Sequence, residues 1–455
     1  MSQIFSNRWY SLISSRALGL GLLLATLIAC SPAGNQATEV VASTPASVST
    51  ADLEYASPES VGVDSQRLTR VTERMQEFVD AGQLAGVVTM AARDSKIFHA
   101  EAVGYRDLAS QDPMEINDIF RIYSMTKPIT GVAMMMLYEE GKFRLSDPVE
   151  MHIPEFTDLQ VYAGQDADGN MITEPQNHKM TMRELMSHTG GLSYGIFSQS
   201  AVDDMYVEAD ILDSNSTLQD MIDKLAAIPL RQQPGSQWHY SVSVDVQGYL
   251  VEKLSGQKFG DFLQERLFEP LGMVDTDFYV TQEKADRLAE VYGYTPYGEL
   301  TAREGFEGAN YLVNPTFQGG GGGLVSTAQD YIRFSQMLLN GGELDGVRIL
   351  SPLTVDLMHR NQMPADMPQN VLGARGTSFG LDFAIIENPV EAESYSKGEY
   401  YWGGAAGTWF WVDPVEDIVF VGMIQQFGGQ GQAVPNVRGA SRQALYQSIV
   451  EPKGI

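Results

Sequence analysis

The chain has 455 residues, 44% of them hydrophobic and 10% aromatic, enough apolar material for a large buried core, which excludes a wholly disordered protein. Its formal charge of −28 excludes a general nucleic-acid binder, because phosphates need counter-charge from the protein. A single cysteine, Cys30, excludes an intramolecular disulfide and a cysteine-built zinc site.

Arg8 and Arg16 precede an uncharged run from Ala17 to Ala29, the layout of a signal peptide over residues 1–29 and too short for a comfortable membrane span. The run closes on Leu27-Ile28-Ala29-Cys30, which resembles the bacterial lipobox. That resemblance implies lipidation of Cys30 and export. Ser31 in place of Asp implies passage to the outer membrane of a Gram-negative bacterium, with the protein facing the periplasm. Residues 30–52 are rich in Ser, Thr, Ala, Pro and Val, cannot recover their ordering entropy by burial, and are expected to act as a flexible tether.

The remainder, 53–455, opens with a helix capped by Asp64 or Ser65, with Leu68, Val71, Met75, Phe78 and Val79 on one face and Gly82 at its end. Leu84 to Ala92 and Ile97 to Val103 flank Arg93-Asp94-Ser95-Lys96 and predict a hairpin. The middle, about 126–370, carries helical periodicity at Ile129–Glu140, Thr181–Ser187, Leu218–Ile228, Val244–Lys253, Phe259–Leu267 and Ala328–Leu339. Strand patterns return at Gly380–Ile386, Tyr400–Gly404, Thr408–Val412 and Ile418–Ile424, before a helix from about Arg438 to Val450. Strands at both ends around a helical middle predict an α+β fold: one antiparallel sheet faced by helices, an inserted helical lobe, and a cleft between them.

Ser-x-x-Lys occurs at Ser124/Lys127, Ser255/Lys258 and Ser394/Lys397, so context must choose. Ser255 ends an apolar helix before Gly256, and Ser394 lies in a polar stretch. Ser124 opens a helix, because Pro128 is tolerated only in a first turn. Spacing i, i+3 then brings the Lys127 ammonium to the Ser124 hydroxyl, a way to activate serine without histidine.

Phe120-Arg121-Ile122-Tyr123-Ser124-Met125-Thr126-Lys127, Pro234-Gly235 ahead of Tyr240-Ser241, the run Gly319 to Thr327, and Trp402-Gly403-Gly404 occur in one order along the chain. Together they resemble the serine β-lactamase and penicillin-binding-protein superfamily, closest to its esterases, bacterial lipolytic family VIII, over roughly Leu53 to Val450. The resemblance implies a β-lactamase/transpeptidase-like fold. It implies Ser124 as acyl-accepting nucleophile, Lys127 as the adjacent cation, and Tyr240 as general base and then acid. It also implies the backbone N–H groups of Ser124 and Ala405 as oxyanion hole, and Trp402, Gly403 and Gly404 as the strand against which substrate lies. Trp402 stands where the superfamily has a lysine that faces substrate carboxylates, and Val242 where many lactamases carry an asparagine. Both departures favour neutral esters over β-lactams.

Gly191-Leu192-Ser193-Tyr194-Gly195 satisfies the Gly-x-Ser-x-Gly pattern, but a capped helix precedes it where a nucleophile elbow needs a strand. His188-Thr189-Gly190 imitates the superfamily's third motif out of order and reads as a helix end and turn. The glycine run from Gly319 lacks the Gly-Lys-Ser/Thr of a P-loop and predicts close backbone packing below the cleft before a Ser326-Thr327 cap. The six histidines form no His-Glu-x-x-His pattern, so no metal or cofactor is implied. The expected function is a serine hydrolase acting on small esters. The alternatives are a β-lactamase or D,D-peptidase, and an envelope protein that only binds.

Overall fold

The computed structural model describes residues 53–303, 310–429 and 433–454; the predicted signal peptide, Cys30 and the tether lie outside the described residues. Eight strands form the main sheet: β1 (Gly86–Arg93), β2 (Lys96–Asp107), β3 (Asp112–Pro113), β4 (Thr377–Phe379), β5 (Ala384–Ile386), β6 (Tyr400–Gly403), β7 (Trp409–Asp413) and β8 (Ile418–Met423). Five longer helices frame the site: α1 (Ser65–Asp80), α2 (Thr126–Glu139), α3 (Ser243–Ser255), α4 (Ala328–Leu339) and α5 (Val437–Tyr446).

β1 and β2 form the predicted hairpin. Its two turn residues, Asp94 and Ser95, take φ of 53° and 58°, the paired positive values that a tight turn between twisted strands requires. The spatial order is β4-β5-β6-β7-β8-β1-β2-β3, and every neighbouring pair is antiparallel. The chain ends meet at the centre, where Val88 lies opposite Met423 and Arg93 opposite Ile418.

Every residue of β1, β7 and β8 is buried, so both faces of the sheet are covered. Successive strand residues point to opposite faces. Accordingly Phe410 packs on Tyr331 of α4, with ring centroids 5.0 Å apart, while Trp411 lies under the guanidinium of Arg442 on α5. α4 therefore covers one face, and α5 with α1 packed against it covers the other. In the helical lobe, α2 is buried from Thr126 to Leu137 and packs on α3. A helix apolar on all sides belongs at the centre of a large domain.

Three differences from the sequence expectation have local causes. Gly380–Ile386 is not one strand, because Gly380 N–H donates to Phe383 and Asp382 takes φ 66°, which reverses the chain between β4 and β5. The helix expected over Phe259–Leu267 runs on to Leu271 through a wider turn at Gln264–Phe268. Helix Ala201–Glu208 and the hairpin Gln160–Gln165/Met171–Pro175 carry too little apolar periodicity to be anticipated.

Across β1 and β2, buried His99 places Nε2 2.8 Å from Thr89 Oγ1. Burial holds its imidazole down, at about 4 against an ordinary 6.5. A depressed folded value means this contribution is complete above pH 6.5 and is lost as pH falls through about 4. The shift corresponds to about 3 kcal/mol. Stability against thermal unfolding should therefore fall as pH drops over that window and fall less in His99→Gln; identical pH profiles for the two proteins would contradict the assignment.

Candidate active site

The site is assembled where the first and third motifs pair as strands. Phe120 lies opposite Ser326 and Arg121 opposite Val325, Ile122 N–H donates to Leu324, and Tyr331 Oη donates to the Met125 carbonyl. These bonds fix a short 3-10 turn, Tyr123–Met125, that leads into α2. Ser124 thus sits one turn ahead of the regular helix and is only half-buried. Tyr123 just before it takes φ 42°, a left-handed conformation costly for a side-chain-bearing residue and held here by the surrounding bonds.

Lys127 is fully buried, and its Nζ has three oxygen neighbours: Ser124 Oγ at 3.3 Å, Tyr194 Oη at 2.9 Å and the Gly321 carbonyl at 2.5 Å. An ammonium has three protons to donate, so all of them are directed. The glycine run serves this geometry. Gly321 N–H donates to Asp245 Oδ1 at 2.9 Å, and a Cβ at position 321 would come 2.4 Å from Asp245 Oδ2 and 2.8 Å from Tyr194 Oη. Burial raises the Asp245 carboxyl above its ordinary range, opposed by Lys127 and the Gly321 N–H. Thr327 caps α4 through the Asp330 N–H.

Tyr240 comes to the other side of the same cation. Lys127 Nζ lies 4.7 Å from its ring centroid, and Tyr240 Oη has no hydrogen-bond partner among the described residues. The hydroxyl in contact with Lys127 Nζ belongs to a second tyrosine. Tyr194 makes that contact, and the sequence reading missed it because Tyr194 belongs to the segment rejected as a nucleophile elbow. Tyr240 is stacked on Trp238 and packed by His188, Tyr194, Phe197 and Trp402, with centroids 4.9–6.1 Å away.

Trp402 is 5% exposed and packs on Tyr240 and Phe379, so its ring supports the tyrosine. At the end of β6, a Cβ on Gly404 would fall 2.5 Å from the Ile122 carbonyl and 2.2 Å from Thr408 Oγ1. Glycine there lets the strand end lie against the segment that carries Ser124, and Gly404 to Gly407 close a tight turn that leaves Ala405 exposed. Val242 is buried at the start of α3, its N–H donating to the Ser193 carbonyl.

The rejected motifs have other partners. Ser193 is 1% exposed, donates to Asp203 and lies 3.2 Å from His239 Nε2. Asp203 therefore binds the serine and not the histidine, which is the wrong order for a relay. His188 follows the helix Met182–Met186, places Nδ1 3.1 Å from Ser241 Oγ, and is held well below its ordinary pKa by burial and by Lys127. Ser255 ends α3 before Gly256 at φ 76°, and Ser394 donates to Glu399. Among the described residues no group of three or more His, Cys, Asp or Glu side chains is placed to hold a metal ion.

Residues 71–443 match the family described as Beta-lactamase. The chain belongs to the beta-lactamase family. It is 35% identical over 360 residues to Protein Rv1367c of Mycobacterium tuberculosis, covering 77% of this chain and 88% of that one. Esterase EstB of Burkholderia gladioli is 29% identical over 347 residues, with 72% and 83% covered. Among solved structures, EstCE1, a hydrolase with promiscuous acyltransferase activity, superposes with a TM-score of 0.69 at 28% identity, over 84% of this chain and 99% of that one. This member of the beta-lactamase family is a serine hydrolase with the β-lactamase/transpeptidase-like fold.

Proposed function

We propose that the protein cleaves small carboxylic esters through an acyl-enzyme on Ser124. The observation that carries this reading is a fully buried ammonium 3.3 Å from a serine hydroxyl that remains reachable from solvent. Ser124 Oγ attacks the ester carbonyl while its proton passes to Tyr240 Oη, acting as the phenolate base that the family resemblance assigns to it. The N–H groups of Ser124 and Ala405 receive the oxyanion. Collapse expels the alkoxide, which takes the proton from Tyr240; water then attacks the acyl carbonyl with Tyr240 again accepting a proton, and collapse of that intermediate breaks the Ser124 Oγ–acyl bond, releasing the carboxylic acid as Tyr240 returns the proton to Ser124 Oγ. Tyr194 and Gly321 hold the Lys127 side chain in place throughout. The absence of a lysine at position 402 and of an amide at position 242 supports esters over β-lactams.

Hydrolysis of p-nitrophenyl butanoate and of a chromogenic cephalosporin by the wild type tests the substrate class. Preference for the ester is expected; preference for the cephalosporin would replace this reading with the lactamase one. We further propose a lipid anchor at Cys30, which would hold the enzyme at the outer membrane facing the periplasm. No helix among the described residues is long and apolar enough to cross a membrane. Cys30→Ser should move the protein from the membrane fraction to the soluble fraction, and unchanged membrane association would contradict lipidation.

A further inference from the structure

The segment that imitates a nucleophile elbow has a different use. Asp203, 2% exposed on helix Ala201–Glu208, accepts hydrogen bonds from Ser193, from Ser198 Oγ at 2.8 Å and from Ser200 Oγ at 2.8 Å, with Arg231 Nε at 3.9 Å. Three hydroxyls spaced along residues 193–200 thus converge on one carboxylate and close the segment into a loop. Burial alone would raise that carboxyl, but the hydroxyl donors outweigh it and keep it below the ordinary range. The base of the loop is tied to the segment that carries Tyr240, through Val242 N–H to the Ser193 carbonyl at 3.1 Å and Ser193 Oγ to His239 Nε2 at 3.2 Å.

At its tip the loop presents two apolar side chains, Ile196 and Phe197, which are 37% and 46% exposed. The Phe197 ring lies 5.2 Å from that of Tyr240 and 5.4 Å from that of Tyr194. An apolar ring left half in water beside the reacting groups gains from any apolar group that covers it. A long acyl chain entering toward Ser124 would do so, and an acetyl group is too short to cover much of it.

We infer that Phe197, on a loop stapled by Asp203, is the lip that sets acyl-chain preference, selecting esters with extended apolar acyl groups over acetates. This rests on the acyl-enzyme reading above. Phe197 is a specificity-determining residue, and Asp203, acting through it, is a positioning residue.

The test is a series of p-nitrophenyl acetate, butanoate and octanoate with wild type, Phe197→Ala, Phe197→Leu, Asp203→Asn and Ser124→Ala. In Phe197→Ala the octanoate-to-acetate ratio of kcat/KM should fall about tenfold, through KM, as expected for the loss of a few methylene contacts. Phe197→Leu should keep the ratio within about threefold of wild type by restoring apolar cover. Asp203→Asn should move the ratio in the same direction as Phe197→Ala. An unchanged ratio in Phe197→Ala, or a parallel fall for all three esters, overturns the lip whatever Asp203→Asn does. Retained hydrolysis in Ser124→Ala overturns the acyl-enzyme reading itself, whereas an inactive Ser124→Ala with a flat Phe197 ratio overturns only the lip.

Discussion

Ser124→Ala should lower kcat/KM for p-nitrophenyl butanoate by at least about a thousandfold, because nothing else at the site can form the acyl-enzyme. The fold should survive the change. Among the described residues the Ser124 hydroxyl makes one hydrogen bond, accepting from Lys127 at 3.3 Å, and the turn that carries it is held by backbone and tyrosine bonds that do not involve the side chain. An unchanged circular dichroism spectrum and melting temperature would show that the loss is chemical. The competing serine, Ser193, is 1% exposed and already donates to a carboxylate. Ser193→Ala should therefore leave Ser124 able to react with an active-site-directed fluorophosphonate, although loosening of the 193–200 loop slows turnover.

The second large effect separates the two tyrosines beside Lys127. Tyr240→Phe should lower kcat by about a hundred- to ten-thousandfold, the usual cost of losing a general base. Its hydroxyl has no hydrogen-bond partner among the described residues, so the change leaves no protein group unsatisfied and stability should hardly move. Tyr194→Phe removes a hydrogen bond to the buried ammonium and one that helps hold Asp245. It should lower kcat by about tenfold, of the order of one hydrogen bond to a charged group, and should shift the pH–rate profile because Lys127 is held less firmly. Kinetics across pH 5 to pH 10 for both variants decide the matter. A larger loss in Tyr194→Phe than in Tyr240→Phe would transfer the base role to Tyr194, whose hydroxyl is the one in contact with Lys127.

Much of the fold was legible because its signals are local. The period of Leu68, Val71, Met75 and Phe78 marks α1, and the Thr181/Glu184 capping box marks the helix at Met182–Met186. Ser124 and Lys127 were legible because i, i+3 spacing on a helix start is itself a distance restraint. Tyr194 and Asp245 were not, because their place at the ammonium depends on how the loop after the helix at Met182–Met186 and the start of α3 approach the glycine run, a tertiary fact with no periodic trace. Trp402 lies on β6, as its strand pattern predicts, but burial of its ring against Tyr240 depends on which face of β6 meets the helical lobe. The Gly-x-Ser-x-Gly match shows the reverse case. Its local pattern suggests a nucleophile, and the carboxylate that makes Ser193 a loop staple lies ten residues further along.

The central claim is the covalent acyl bond to Ser124. Wild-type enzyme turning over p-nitrophenyl butanoate, stopped with acid within the first turnovers and digested for mass spectrometry, should carry the butanoyl mass on the peptide that contains Ser124, and Ser124→Ala should carry none. A butanoyl adduct on the peptide containing Ser193, or full-rate hydrolysis with no adduct on any serine, would contradict the account.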